Sequence, residues 1–359
     1  MNTQYIFVHG LAGWGEYDPQ YKFFPYWGMA CGDLMRALRK KGYACHAASV
    51  SPTGSAWDRA CELYAQLSGT RTDYGLAHAK RANHARFGPD FTGRALIPEF
   101  DENTRLVLLG HSFGGATVRL FSALLSRGDQ TERSETAPND LSPLFRGGMG
   151  ARVRAIVTLA APHNGTTAYD LHDDPDFDPE RVRVSLLESL LAKTVTGGTK
   201  AKDDGRASFD WASYDMHIAG ALRLNEKIPT QADVYYFSVP CSASVADKDG
   251  VFRPNRRAME KHIVKSSAQM GLYAGKTRGG FPLGPEWREN DGLVNTFSAR
   301  APLFAPQTDF VPGKIRPGIW NVMPVYPGDH MSLQGGLAHV RYVRPFYEAL
   351  LAMLEHLPE

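Results

Sequence analysis

Three short apolar runs stand out along the chain: Tyr5 to Val8, Arg105 to Leu109 and Val153 to Leu159. They are rich in β-branched and bulky residues and apolar at consecutive positions, as strands buried on both faces of a parallel sheet are. The second run leads into Gly114-Gly115 and then Ala116 to Leu125, whose apolar residues suit a helix packed on that sheet. Strand, tight turn and helix in that order form the unit of a doubly wound α/β sheet. Further on, Val184, Leu187, Leu190, Leu191 and Val195 recur at helical spacing and Gly197-Gly198 would end that helix. It reads either as a lid or as a helix docked on the core. The polar stretches Gly128 to Asp140 and Thr199 to Ala207 read as surface loops.

Composition narrows the class. In 359 residues, 43% hydrophobic and 22% charged, a substantial core can be buried, which excludes disordered and fibrous classes. The balance of 40 basic and 38 acidic residues, a net charge of +2, gives no reason to expect nucleic acid as a partner. Cys31, Cys45, Cys61 and Cys241 show no CxxC spacing and are too few for a disulfide framework, so buried thiols are expected. No secretion signal is visible, and no apolar run reaches the roughly 20 residues that span a bilayer. A soluble protein without a transmembrane segment is therefore expected, cytoplasmic or secreted if a leader was removed. No heptad pattern or interface stripe indicates an oligomeric state.

Gly110-His111-Ser112-Phe113-Gly114 fits the G-x-S-x-G nucleophile elbow and falls between an apolar strand and a helix, where that motif must sit. A serine is a poor nucleophile at neutral pH without a base to take its proton and an acid to orient that base. In an α/β-hydrolase the partners follow in the order Ser, Asp, His. Asp291, in Glu289-Asn-Asp-Gly292, and His330, in Gly328-Asp-His-Met331, supply that order in turn-like contexts. His339 and His356 are weaker competitors. An oxyanion needs two fixed N–H donors. The residue after the nucleophile, Phe113, offers one, and Val8-His9-Gly10-Leu11 closes the first strand in an H-G pattern that makes the Leu11 amide the other candidate.

These residues, together with His9-Gly-Leu-Ala-Gly-Trp-Gly15, Trp57-Asp-Arg-Ala-Cys-Glu62, Asp73-Tyr-Gly75, His84-Ala-Arg-Phe-Gly88, Leu141-Ser-Pro-Leu-Phe145, Ala161-Pro-His-Asn-Gly-Thr166 and Glu289-Asn-Asp-Gly292, resemble the thermostable lipases of the Bacillus/Geobacillus group and their staphylococcal relatives, in that family's order. The resemblance runs from residue 5 to about 330. It implies a single α/β-hydrolase domain over 1–359, with a mostly parallel sheet flanked by helices, a zinc-binding insertion around 55–90 and a lid or cap segment around 166–225. It also implies a structural Zn2+ held by Asp58, His78, His84 and Asp215, a closed tetrahedron with no open position for a water. His78 and His84 are six apart, off a shared helical face, so a bend must bring them together.

Two departures from the family follow. Ser332 and Leu333-Gln-Gly-Gly336 carry no carboxylate after His330, which argues against Ca2+ there, and the stretch from Thr166 to Asp215 is shorter than the family's lid, which argues against strong interfacial activation. The implied activity is carboxylic ester hydrolysis, triacylglycerol first, with transient contact to a lipid interface. A short-chain carboxylesterase or polyester hydrolase with the same residues is the alternative. A zinc hydrolase that activates water and a non-catalytic binding protein on a hydrolase fold are the rivals from other classes.

Overall fold

The computed structural model describes residues 2–171, 205–277 and 279–358. The helical spacing read from Val184 to Val195, and with it most of the anticipated lid, lies outside the described residues. Seven strands build the central sheet: β1 Asn2–Val8, β2 Cys45–Ala48, β3 Thr104–His111, β4 Val153–Leu159, β5 Tyr235–Val239, β6 Gln307–Asp309 and β7 Trp320–Val322. Their order is β6-β7-β5-β4-β3-β1-β2, and every pairing is parallel. The three apolar runs read from sequence are β1, the middle of β3 and β4.

The runs are continuous because both faces of the sheet are covered. Ile6 and Val8 of β1 and Leu106 and Leu108 of β3 point into one core, while Tyr5, Phe7, Val107 and Leu109 point into the other. On the first face lie helices Ala56–Ser68 (α2) and Gly114–Arg127 (α4). On the second lie Leu34–Arg39 (α1) and the C-terminal helix Val343–Glu355 (α5), with helix Leu76–Ala82 (α3) set apart from both. Each fully buried Leu, Val or Phe contributes about 1.5–3 kcal/mol, so two such cores are sufficient to fix the strand order. Among the described residues no helix is long and apolar enough to cross a membrane. Cys45, Cys61 and Cys241 are buried free thiols, whereas Cys31 is only half-buried.

The strand order places the site. From β1 the chain crosses to edge strand β2, then returns to the other side of β1 to enter β3 and moves outward from there. The reversal makes the gap between the C-terminal ends of β1 and β3 the topological switch point, where ligands bind in open α/β sheets. Val8 pairs with Gly110, so His9-Gly10-Leu11 and Ser112 leave the sheet side by side.

The stretch anticipated as an insertion around 55–90 divides in two. Its first half is α2, a layer helix capped by the Ser55 hydroxyl, which accepts the Asp58 N–H. The remainder is a two-stranded antiparallel arm, Arg71–Asp73 with Phe87–Asp90, which carries α3 between its strands.

Candidate active site and metal centre

Ser112 ends β3 in a turn so tight that its φ is +54°, a left-handed conformation costing a non-glycine residue about 1–3 kcal/mol. Neighbouring hydrogen bonds hold it there: the Ser112 N–H donates to Leu159 O at 2.8 Å, and its carbonyl accepts the Gly115 N–H at 2.9 Å. The turn admits no side chain at Gly114, where a Cβ would lie 2.3 Å from Val8 O. Gly10 is also closely pressed, since its Cβ would lie 2.7 Å from that of Ser112. The Gly10 N–H donates to Tyr26 Oη at 3.0 Å and the Ala12 N–H to Pro52 O at 2.8 Å. Between them the Leu11 N–H has no acceptor among the described residues, and neither has that of Phe113. These are the two donors expected for an oxyanion.

Asp291 and His330 meet although 39 residues separate them. His330 Nδ1 lies 2.9 Å from Asp291 Oδ2, and the His330 N–H donates to Asp291 O at 2.8 Å. Asp291 Oδ1 accepts the Leu293 and Val294 N–H groups at 3.0 and 2.7 Å, which fixes the carboxylate in its turn. A carboxylate acceptor on Nδ1 puts the proton of a neutral imidazole there and leaves Nε2 as a base. On the other side of His330, buried Asp329 accepts the Ser332 hydroxyl at 2.7 Å and the Glu260 N–H at 2.7 Å. The His330 ring lies 4.9 Å from that of His111, the residue before Ser112. Ser112, His330 and Asp291, the residues expected as nucleophile, base and orienting acid, are all buried, and the His111–His330 contact links the two stretches that carry them. Of the two competing histidines, His339 packs on Tyr326 and His356 bonds Ala352 O, and neither bonds Asp291.

Sequence reasoning missed three buried residues around the site. The Arg59 guanidinium donates to His9 O and, at 3.3 Å, to Gly10 O, and lies 5.0 Å from the Phe113 ring centre. Tyr26 and His111 bond to each other at 2.7 Å. His111 was in view as the variable position of the elbow, but nothing in sequence spacing relates Tyr26 to it. Burial, with Arg59 beside it, pushes the His9 imidazole down to about 3, so His9 is neutral.

The candidate metal-binding group is closed by a residue other than the expected one. Atoms of Asp58, His78, His84 and Asp210 lie within 4.8 Å of one another. Asp215 is not among them: its Oδ2 accepts the Ala56 N–H at 2.8 Å, at the first turn of α2. The chain turns at Trp211, which pairs with Gly54, so the carboxylate before the tryptophan faces the histidines and the one in the helix after it meets α2. The bend required between His78 and His84 is present, because α3 stops at Asn83 with φ +59°.

Two imidazoles and two carboxylates, a set suited to zinc, converge on one point. His78 Nε2 lies 3.0 and 3.3 Å from Asp210 and Asp58 oxygens, and His84 Nε2 lies 3.2 and 3.6 Å from theirs. Asp58 Oδ1, Asp210 Oδ2 and His84 Nε2 are buried without a hydrogen-bond partner among the described residues. These atoms face one another only as ion-pair neighbours, with Arg206 Nη1 at 3.0 Å from Asp58 Oδ2 and 3.4 Å from Asp210 Oδ2 at the edge of the cluster, and a bound cation would satisfy them. The outer contacts fix the rings: Trp57 stacks on His78 at 5.0 Å, Ser55 Oγ donates to Asp210 Oδ1 at 2.7 Å, and Glu132 accepts the His78 N–H at 2.7 Å.

A cavity of 280 Å³ is lined by Phe24, Met29, Met331 and Leu337, with Glu260 and His262 at its wall; it reaches Met331, the residue after His330. The larger cavity, 710 Å³, opens among the strand starts Val153 and Tyr235 at the opposite edge and contains none of the residues above.

Comparison with known proteins identifies the family and the fold. Residues 2–182 match the family described as "Lipase-like, C-terminal domain". Lipase 2 of Staphylococcus aureus is 31% identical over 357 residues, covering 92% of this chain and 50% of its own. The chain thus spans about half the length of the curated relatives it matches. The structure of EstA from Clostridium botulinum superposes with a TM-score of 0.86 at 29% identity, covering 99% of this chain and 88% of that one. Lipase 1 from Pelosinus fermentans superposes with a TM-score of 0.79 at 30% identity over the full length of both.

Proposed function

This chain belongs to the lipase family that includes the staphylococcal lipases, and we propose that it is a serine ester hydrolase acting on acylglycerols and related lipid esters through Ser112, His330 and Asp291. The observation that carries the reading is the strained Ser112 at the switch point, with an Asp291-oriented His330 packed on the neighbouring His111 and two N–H groups without acceptors among the described residues.

The chemistry follows from the positions. His330 Nε2 takes the Ser112 hydroxyl proton as Oγ attacks the ester carbonyl, and the tetrahedral oxyanion is stabilised by the Leu11 and Phe113 amides. The imidazolium, held by Asp291, then protonates the departing alcohol. Water attacks the acyl-enzyme with His330 again as base, which releases the carboxylic acid and restores Ser112. The family match to lipases favours a fatty ester over a peptide. The whole of 1–359 is read as one hydrolase unit.

Asp58, His78, His84 and Asp210 would hold a zinc ion. When bound, the ion ties α2, the arm and the segment around Asp210 together, without an open coordination position for catalysis. Hydrolysis of p-nitrophenyl esters from C2 to C16 tests the substrate class. An optimum at medium or long chains supports a lipase, and activity confined to C2–C4 would move the reading to a short-chain esterase.

A further inference from the structure

Three buried groups that the mechanism leaves unused join the two halves of the site. The Gly10 N–H donates to Tyr26 Oη at 3.0 Å, Tyr26 Oη lies 2.7 Å from His111 Nδ1, and His111 Nε2 lies 2.9 Å from His330 O. Their directions follow from chemistry. A carbonyl oxygen only accepts, so His111 Nε2 carries the proton. Burial, with His330 nearby, pushes the His111 imidazole well down, so it is neutral and its Nδ1 is a lone pair. Tyr26 must then donate to Nδ1, which leaves its oxygen free to accept from Gly10. Each link has one orientation, and no member of the chain is left unsatisfied.

We propose that Tyr26 and His111 form a fixed relay that sets the oxyanion loop and the His330 loop relative to each other. They act as positioning residues for the ester hydrolysis proposed above, on which this inference rests. The relay bridges 16 residues at one step, 85 at the next and 219 at the last, so it joins four separate stretches of chain, two of which, those of Gly10 and His111, lie against Ser112. His111 is adjacent to Ser112, and Gly10 would touch it through any side chain. Movement of either loop therefore changes the distance from the serine to its base or to the Leu11 amide. Packing also fixes the Tyr26 ring, which lies edge-on to Trp14 and Trp27 at 5.6 and 5.4 Å, so its hydroxyl has little freedom to seek another partner.

The test is Tyr26→Phe, which keeps the ring and deletes the hydroxyl, measured with p-nitrophenyl butyrate after titration of active sites with a serine-reactive phosphonate. A misplacement of ~1 Å costs on the order of 100-fold in rate, so the expected loss is about 10- to 100-fold in kcat per titrated site, with KM little changed. His111→Gln retains one acceptor and one donor and should recover part of the activity lost in His111→Ala. The double variant Tyr26→Phe/His111→Ala should lose no more than His111→Ala alone. A merely structural role would lower the titrated fraction and leave kcat per site near the wild-type value, and that result overturns the inference. A wild type that takes no phosphonate overturns the ester hydrolase reading as well, whereas a labelled wild type beside an unaffected Tyr26→Phe overturns the relay alone.

Discussion

Asp210→Asn is the variant that separates the two candidate fourth ligands. The substitution keeps an oxygen for Ser55 at 2.7 Å but removes the charge that faces His78 and His84 at 3.0 and 3.2 Å. An ion that binds only the folded protein stabilises it by about 4 kcal/mol when present at 1,000 times its dissociation constant. At roughly 2 °C per kcal/mol, the figure for larger domains, the melting temperature of wild type should fall by about 8 °C on chelation with EDTA and return with added zinc. Asp210→Asn should melt near the chelated wild type and respond little to either treatment. Asp215→Asn, which weakens only the acceptor for the Ala56 N–H, should keep the full metal response from a somewhat lower start. Differential scanning calorimetry with metal analysis of each protein gives the readout. A full zinc response in Asp210→Asn, or its loss in Asp215→Asn, would refute the assignment.

Three further outcomes are expected. Gly10→Ala puts a methyl 2.7 Å from the Ser112 Cβ and displaces the oxyanion loop, so activity should drop by about 100-fold or more while the circular dichroism spectrum is retained. Asp291→Asn exchanges the acceptor for His330 Nδ1 for an amide and disfavours the tautomer with a free Nε2; kcat on p-nitrophenyl esters should fall by roughly 10³–10⁴-fold. Chelation at 25 °C, well below melting, should leave wild-type kcat within a few-fold, because none of the four ligand residues makes a hydrogen bond to Ser112, His330 or Asp291; immediate loss of turnover would instead indicate a metal that takes part in the chemistry.

The layers of the fold were legible because strands covered on both faces need continuous apolar stretches, and Tyr5–Val8 of β1, Leu106–Leu109 of β3 and most of β4 supply them. Ser112 was legible for a related reason: only the sharp turn between β3 and α4 requires its glycines in that spacing. Short edge strands such as Gln307–Asp309 carry too few apolar residues to register as a pattern. The fourth member of the candidate metal-binding group is Asp210 and not the expected Asp215, because both carboxylates lie close to Trp211 and the pairing of Trp211 with Gly54 decides which one faces the histidines. Tyr26 and Arg59 left no trace in sequence, since their partners are backbone atoms and a ring far along the chain. Contacts of that kind have no periodicity.

Active-site titration of wild type and Ser112→Ala with a serine-reactive phosphonate, run beside hydrolysis of p-nitrophenyl esters from C2 to C16, tests the central claim most directly. The account predicts one label per wild-type chain, located at Ser112, and loss of both label and turnover in the variant with its fold intact. A Ser112→Ala protein that still hydrolyses esters at the wild-type rate would contradict it.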